Sequence, residues 1–232
     1  MLSEKWRYNE MVHCGVNFSD SSEVAVYDSY MQKLRDIVPE VAKMKKALQL
    51  ESDDIVLDIG TGTGEMAIGL AAHCKHVMAI DISAAMIEYA KQKAMERQCN
   101  NITFEQAGFL TFGQPPHSID RIISQIALHH LPDFWKFVGL KQIHSALKPG
   151  GIFCLQDTVL PVKDDYETYF SEVVGLVEKG GGSKVARDTE KTIRDEYMTL
   201  DWIMEGLLEK AGFKIISKEY GVPFVGTYLC TK

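Results

Sequence analysis

The sequence predicts an α/β protein built on a mostly parallel sheet covered by helices on both faces. Three observations carry this. Short apolar runs alternate with amphipathic stretches of helical length through the middle of the chain, the pattern of successive βαβ units. A glycine-rich turn, Gly60-Thr-Gly62-Thr-Gly64, closes the first of those runs and opens a helical one. A Pro149-Gly-Gly151 break stops a later helix and admits another apolar run, because proline cannot continue a helix and glycine accepts the turn.

Taken in order, residues 1–50 are expected to be mainly helical and amphipathic, with Tyr27, Tyr30, Leu34 and Ile37 at spacings of three and four. Strands are expected at 55–59, 76–80, 101–107, 120–126 and 151–159. Helices are expected at 65–73, 84–98 and 133–147. Ser83 is placed to cap the second of these helices, whose Met86, Ile87, Ala90 and Ala94 fall at helical spacing. Residues 160–198 are rich in charge and read as two helices broken at Gly180-Gly-Gly182. A helix at 201–211 and strands at 213–220 and 227–231 follow, with the turn Gly221-Val-Pro-Phe224 suggesting a hairpin.

The chain has 232 residues, 46% of them hydrophobic and 25% charged. That suits one α/β domain with accessory segments and a sizeable core. The net charge of −7 argues against a nucleic-acid surface. No apolar run reaches the roughly 20 residues that span a bilayer, and residues 1–6 lack the pattern of a secretory signal. The cytoplasm is therefore the expected location. The five cysteines, at 14, 74, 99, 154 and 230, form no CxxC pair, so neither a zinc site nor a disulfide framework is indicated.

In sheets of this kind ligands bind beyond the carboxyl ends of the strands, so the residues that follow strands carry the functional reading. A nucleoside lying across the turn at Gly60, Thr61, Gly62 and Gly64 needs the backbone to approach closely, which a Cβ would obstruct. Dinucleotide-binding dehydrogenases also use a glycine turn. Here, however, the spacing is GxGxG, and Asp58 stands two places before the first glycine. A carboxylate there would repel a pyrophosphate and suits a cationic group, such as the ammonium of a methionine moiety. Asp81 ends the next strand, seventeen residues after Gly64, where a carboxylate can accept from both ribose hydroxyls.

Four segments in order, Val56-Leu-Asp-Ile-Gly-Thr-Gly-Thr-Gly64, Ala79-Ile-Asp-Ile-Ser83, Ala127-Leu-His-His-Leu-Pro-Asp133 and Leu147-Lys-Pro-Gly-Gly151, resemble the successive motifs of class I S-adenosylmethionine-dependent methyltransferases. Tyr27-Asp28 is similar to a pair ahead of the core in ubiquinone/menaquinone-type relatives. The resemblance implies a Rossmann-like seven-stranded sheet of order 3-2-1-4-5-7-6 with strand 7 antiparallel. It implies S-adenosylmethionine as cofactor, with Asp58 and the glycine loop at its methionine end and Asp81 on its ribose. Ile82 and Met86 would flank the adenine, residues 107–109 would pass along its edge, and Gln125 would lie beside the methionine moiety. Many family members carry an acidic residue where this chain has Gly108; the backbone of Gly108 and Phe109 is the expected substitute, with Phe109 packing on the adenine. Tyr27 is expected either to border the cofactor or to be a core aromatic.

On this reading residues 1–232 form one domain. Residues 1–50 are a helical cap, 51–160 the cofactor-binding core, 161–198 a helical insertion over the acceptor site, and 199–232 the closing helix and hairpin. Methyl transfer needs alignment and exclusion of water more than side-chain chemistry. His129 is the candidate general base, and His130 is placed on the cofactor side or in a structural role. No acidic pair flanks these histidines at a recognisable ligand spacing, so no metal is expected. Tyr166, Tyr169, Phe170, Tyr197 and Trp202 are candidates for lining the pocket of a small, partly apolar acceptor. Monomer and homodimer are both compatible with the sequence. A dehydrogenase, an aminopropyltransferase and a non-catalytic S-adenosylmethionine-binding module are the competing readings.

Overall fold

A computed structural model describes residues 5–16, 18–31, 35–221 and 224–232. Leu34 and the Val222-Pro223 turn, both invoked above, lie outside the described residues. The core strands are β1 (Ile55–Ile59), β2 (His76–Asp81), β3 (Ile102–Gln106), β4 (Ile119–Gln125) and β5 (Leu147–Leu160). Behind them come a two-residue β6 (Thr199–Leu200), then β7 (Lys214–Gly221) and β8 (Val225–Thr231). The sheet order is β3-β2-β1-β4-β5-β8-β7, with β6 beside β5. Setting β6 aside, this is the expected 3-2-1-4-5-7-6 order, and the last strand runs antiparallel to both neighbours.

The helices are α1 (Ser21–Met31), α2 (Ile37–Leu48), α3 (Glu65–Ala71), α4 (Ala84–Glu96), α5 (Asp133–Ala146), α6 (Tyr166–Gly181), α7 (Ser183–Asp195) and α8 (Asp201–Ala211). Alternation along the strands sends successive side chains to opposite faces. Leu57 and Ile59 join Leu140, Ile143, Met204 and Leu208 of α5 and α8 on one face. Val56 joins Met44, Leu48, Met66 and Leu70 of α2 and α3 on the other. A strand buried on both sides must be apolar throughout, which is why 55–59 reads as an unbroken run. Asp58, 2% exposed, is the exception.

Two expectations need correction. Helix in the first fifty residues begins only at Ser21: the described part of 5–20 is turn and irregular chain, and the expected helical character is confined to α1 and α2. The strand expected at 151–159 begins at Leu147, directly after α5. Ser83 caps α4 as expected, its Oγ accepting from Met86 N at 3.1 Å.

The parallel register sets Ile59 beside Ile80 and Ser124. The carboxyl ends of β1, β2 and β4 therefore share one edge, which brings Asp58, Asp81 and Gln125 together.

Candidate active site

A cavity of about 460 Å³ opens at that edge. Of the expected cofactor residues, Tyr27, Asp58, Gly60, Thr61, Gly62, Asp81, Ile82, Met86, Gly108, Phe109, Gln125 and His130 line it. Gly64 and His129 do not. Five carboxylates (Glu10, Asp28, Asp58, Glu65 and Asp81) face two guanidinium groups (Arg35 and Arg97) across the lining. An acidic excess of this kind favours a cationic ligand over a polyphosphate.

The glycine loop is held by the neighbouring strand. Gly60 N and Thr61 N both donate to Ile80 O at 2.9 Å. Its glycines serve different ends. A Cβ on Gly60 would stand 2.3 Å from Ala127 Cβ, and one on Gly64 3.0 Å from Ala90 Cβ, whereas one on Gly62 would meet nothing within 4 Å. Gly60 and Gly64 thus make room for the protein's own packing, whereas Gly62 faces open space and is required only by its φ of +54°.

Asp58 accepts from Thr61 Oγ1 at 2.7 Å. Burial pushes its carboxyl up to about 7, and the nearby Asp81 adds to the rise while the Thr61 hydrogen bond opposes it. Asp81 accepts from Gly62 N at 2.9 Å through Oδ2 and from Ser83 N at 2.8 Å through Oδ1. Burial raises its pKa and these two amides counter the rise. Each oxygen keeps a lone pair for a further donor. Gln125 donates to Gln156 Oε1 at 2.9 Å, which orients it along the cavity rim. Beside it Ile126 has φ +50°, an uncommon conformation for a β-branched residue.

The amino-terminal chain roofs the cavity. Arg7 donates to Leu110 O at 2.7 Å, Glu10 accepts from Leu110 N at 2.9 Å and Thr111 Oγ1 at 2.8 Å, and Phe18 O accepts from Ser83 Oγ at 2.6 Å. Val12, His13, Cys14 and Phe18 line its inner side. Tyr27 meets the Phe18 ring edge-on at 5.6 Å. Asp28 accepts from Thr63 Oγ1 at 2.6 Å and pairs with the buried Lys93, which also reaches Glu65 at 2.9 Å. These contacts fasten α1 to both the glycine loop and α4.

His129 and His130 fall in a single 3-10 turn after β4. Contrary to the sequence reading, His129 is shut away from the cavity, 2% exposed. Its Nδ1 lies 2.5 Å from Asp157 Oδ1 and its Nε2 3.0 Å from Glu196 Oε2. Burial alone would depress its pKa, but the two carboxylates outweigh that and raise it to about 9. With its ring buried between two carboxylates that favour the imidazolium, His129 is poorly placed to take a proton from an acceptor. His130 stacks beside it at 4.4 Å and reaches the cavity; burial and the neighbouring cation hold it neutral. Ligand atoms of His129, His130 and Glu196 come within 4.8 Å of one another, but a protonated His129 offers no lone pair to a cation, so the three form an ion-paired cluster and not a ready metal site. The sequence reading missed it because Glu196 comes from the end of α7, far along the chain.

The helical insertion does not cover the cavity: no residue of α6 or α7 lines it. Tyr166 and Tyr169 pack on Phe170, and Trp202 is 60% exposed. The insertion meets the site through its carboxyl-terminal end: Asp195 O accepts from Cys14 Sγ at 2.8 Å, Tyr197 N donates to His129 O at 2.9 Å, and Glu196 Oε1 accepts from Val16 N at 2.9 Å. Glu10, Ile126 and Glu196 were all overlooked in the sequence; only the motif-poor amino-terminal stretch could have hinted at the first.

The glycine turn and the acidic cavity thus meet at one edge of the sheet. The comparisons with known proteins say which family this arrangement belongs to. The methyltransferase-domain family model matches residues 50–202. An uncharacterized methyltransferase of Bacillus velezensis is 32% identical over 77% of this chain and 75% of its own. Among solved structures, a SAM-dependent methyltransferase from Aquifex aeolicus superposes with a TM-score of 0.65 at 18% identity, covering 91% of this chain and 97% of that one. A Haemonchus contortus phosphoethanolamine N-methyltransferase, in complex with S-adenosyl-L-methionine, gives 0.66 at 20% identity over 88% and 44%. The chain belongs to the methyltransferase-domain family, and it shares the fold of the S-adenosylmethionine-dependent enzymes it superposes on.

Proposed function

We propose that the cavity holds S-adenosylmethionine and that the enzyme passes its methyl group to a small, partly apolar acceptor. The observation that carries this is Asp58, a carboxylate buried at the foot of the glycine loop, lining the cavity and bonded to the Thr61 hydroxyl. The residues fit the cofactor: Asp58 suits an ammonium, Asp81 retains acceptor capacity for ribose hydroxyls, and Gly62 leaves open space between them.

When bound, S-adenosylmethionine supplies a methyl group already activated by a sulfonium. Asp58 and Thr61 hold the methionine end, with Gln125 alongside it. Asp81 would hold the ribose, and Ile82, Met86 and Phe109 would line the base end of the cavity. Tyr27 and Phe18 close over the bound ligand and exclude water. His130 offers a neutral imidazole to the acceptor side. His129 is a positioning residue: its charge fixes the 3-10 turn that carries His130. The enclosed volume and the acidic lining support a small acceptor over a nucleic acid.

Thermal shift with S-adenosylhomocysteine and with NADH tests the ligand, and release of S-adenosylhomocysteine across an acceptor panel tests turnover. Stabilisation by NADH alone would overturn the reading.

A further inference from the structure

The base end of the cavity holds a carboxylate that the core motifs do not supply. Glu10 arrives from the amino-terminal roof and is 5% exposed. Its Oε1 is fixed by Leu110 N and Thr111 Oγ1. Its Oε2 lies on the Gly108 side, 2.5 Å from where a Cβ of Gly108 would stand; that same Cβ would lie 2.8 Å from Ile82 Cγ2. Gly108 is therefore the space into which Glu10 fits. Any side chain at 108 would force one of the two to move.

The backbone of Gly108 is also already engaged. Its N–H donates to Thr111 Oγ1 at 2.8 Å, and its carbonyl accepts from Phe112 N at 3.0 Å. The expectation that this backbone would read the base edge is not supported by these bonds. Glu10 lines the cavity together with Ile82, Met86, Gly108 and Phe109, so the polar group offered to a base lying there is a carboxylate oxygen. A carboxylate accepts hydrogen bonds and rejects acceptors. Its chemical match is an exocyclic amino group, such as the 6-amino group of adenine; a 6-oxo purine would set oxygen against oxygen.

We infer that Glu10 is the residue that selects the aminopurine of the cofactor, delivered by the amino-terminal segment into the gap that Gly108 leaves. The inference rests on the proposed placement of the adenosyl group. It ties cofactor recognition to the seating of residues 5–16, because the recognising side chain belongs to the roof and not to the sheet. The burial that raises the pKa of Glu10 is countered by Thr111 and Leu110, and a donor from the ligand would counter it further.

The test is calorimetric titration of the full chain with S-adenosylhomocysteine and with its 6-oxo counterpart, S-inosylhomocysteine. The wild type is expected to prefer the amino form by about tenfold or more, the cost of an unmatched buried polar group. Glu10→Gln, whose amide can both accept and donate, should narrow the preference to about threefold or less. Glu10→Ala should weaken the amino form by about tenfold and erase the preference. The inference is overturned if Glu10→Gln keeps the wild-type preference, or if Glu10→Ala weakens both ligands equally. Equal weakening with faster proteolysis in residues 5–16 would mean that Glu10 only fastens the roof. If Glu10→Ala does not fold, the wild type and Glu10→Gln decide the matter. A wild type that binds the two ligands equally removes the inference alone, whereas one that binds neither removes the cofactor placement with it.

Discussion

His129 Nδ1 lies 2.5 Å from Asp157 Oδ1 inside a site from which solvent is almost wholly excluded. Asp157 does more than pair: its Oδ2 accepts from Leu128 N at 2.6 Å and His129 N at 3.2 Å. One carboxylate thus fixes both the ring and the backbone of the turn that presents His130.

That relationship sets the pH dependence of stability. Folding raises the pKa of His129 from 6.5 to about 9, so the folded state holds a proton that the unfolded state releases. Its stabilisation is complete below pH 6.5 and is lost as pH climbs through 9. The melting temperature should fall across that window, and Asp157→Asn should flatten the fall. Removing one partner of a buried pair costs about 3–5 kcal/mol, so Asp157→Asn should also unfold at much lower urea. A wild-type melting temperature that rises from pH 6.5 to 9 would contradict the assignment.

Asp58 has the opposite balance of cost and use. Its pKa rises from 3.8 to about 7, chiefly by desolvation, so the ligand-free fold loses stability as pH rises through 7. Asp58→Asn should raise the melting temperature of the ligand-free protein at pH 8, by about 1–3 kcal/mol of stability. The same change should weaken S-adenosylmethionine at least about tenfold by removing the partner of its ammonium. In the wild type, affinity measured by calorimetry should tighten from pH 6 to 8.

Substitutions in the glycine loop should separate packing from binding. Gly60→Ala places its Cβ 2.3 Å from Ala127 Cβ at φ +76°, and should destabilise the fold by about 2 kcal/mol or more. Gly62→Ala meets only open space at φ +54°, so its cost should stay near 1 kcal/mol. Its main effect should be on cofactor affinity. Chemical denaturation and cofactor titration of the two variants give the comparison; equal losses of affinity per kcal/mol of stability would refute the division.

Lys93→Met leaves Asp28 and Glu65 without the buried cation between them. The loss should approach the low end of the about 3–5 kcal/mol that removing one partner of a buried pair costs, since the partners are partly exposed, and should fall on α1, which Asp28 attaches to the loop. Limited proteolysis should cut the variant between residues 18 and 31 faster than the wild type. Cofactor should restore protection, because it reseats the contacts around Thr63.

The sheet was legible in the sequence because its strands are buried on both faces and must be apolar, and because glycine and proline punctuate each crossover. Asp58 and Asp81 were legible because they are polar where their runs are not. The amino-terminal segment was misread: helical spacing of Tyr27, Tyr30 and Leu34 was extended backwards over residues that make turns. The insertion was misplaced for a related reason. Aromatic content identifies a surface that needs covering, and Tyr166, Tyr169 and Phe170 cover one another. The position of His129 after β4 suggests a base, but its protonation is set first by Asp157 and then by Glu196, neither of which any local pattern connects to it. Glu10 escaped notice because its partner is a vacancy: a glycine shows what a site lacks and not what fills it.

The roof over the cavity has a kinetic consequence. Residues 5–16, with Phe18, are fastened to the Leu110–Thr111 stretch, to Ser83 and to Glu196, and in the proposed placement the cofactor lies beneath them. If its release waits on the undoing of these bonds, a first turnover should outpace those that follow. Pre-steady-state traces with a competent acceptor should show a burst whose amplitude counts the enzyme molecules. Loosening one clasp should then quicken the steady state even as it weakens the grip.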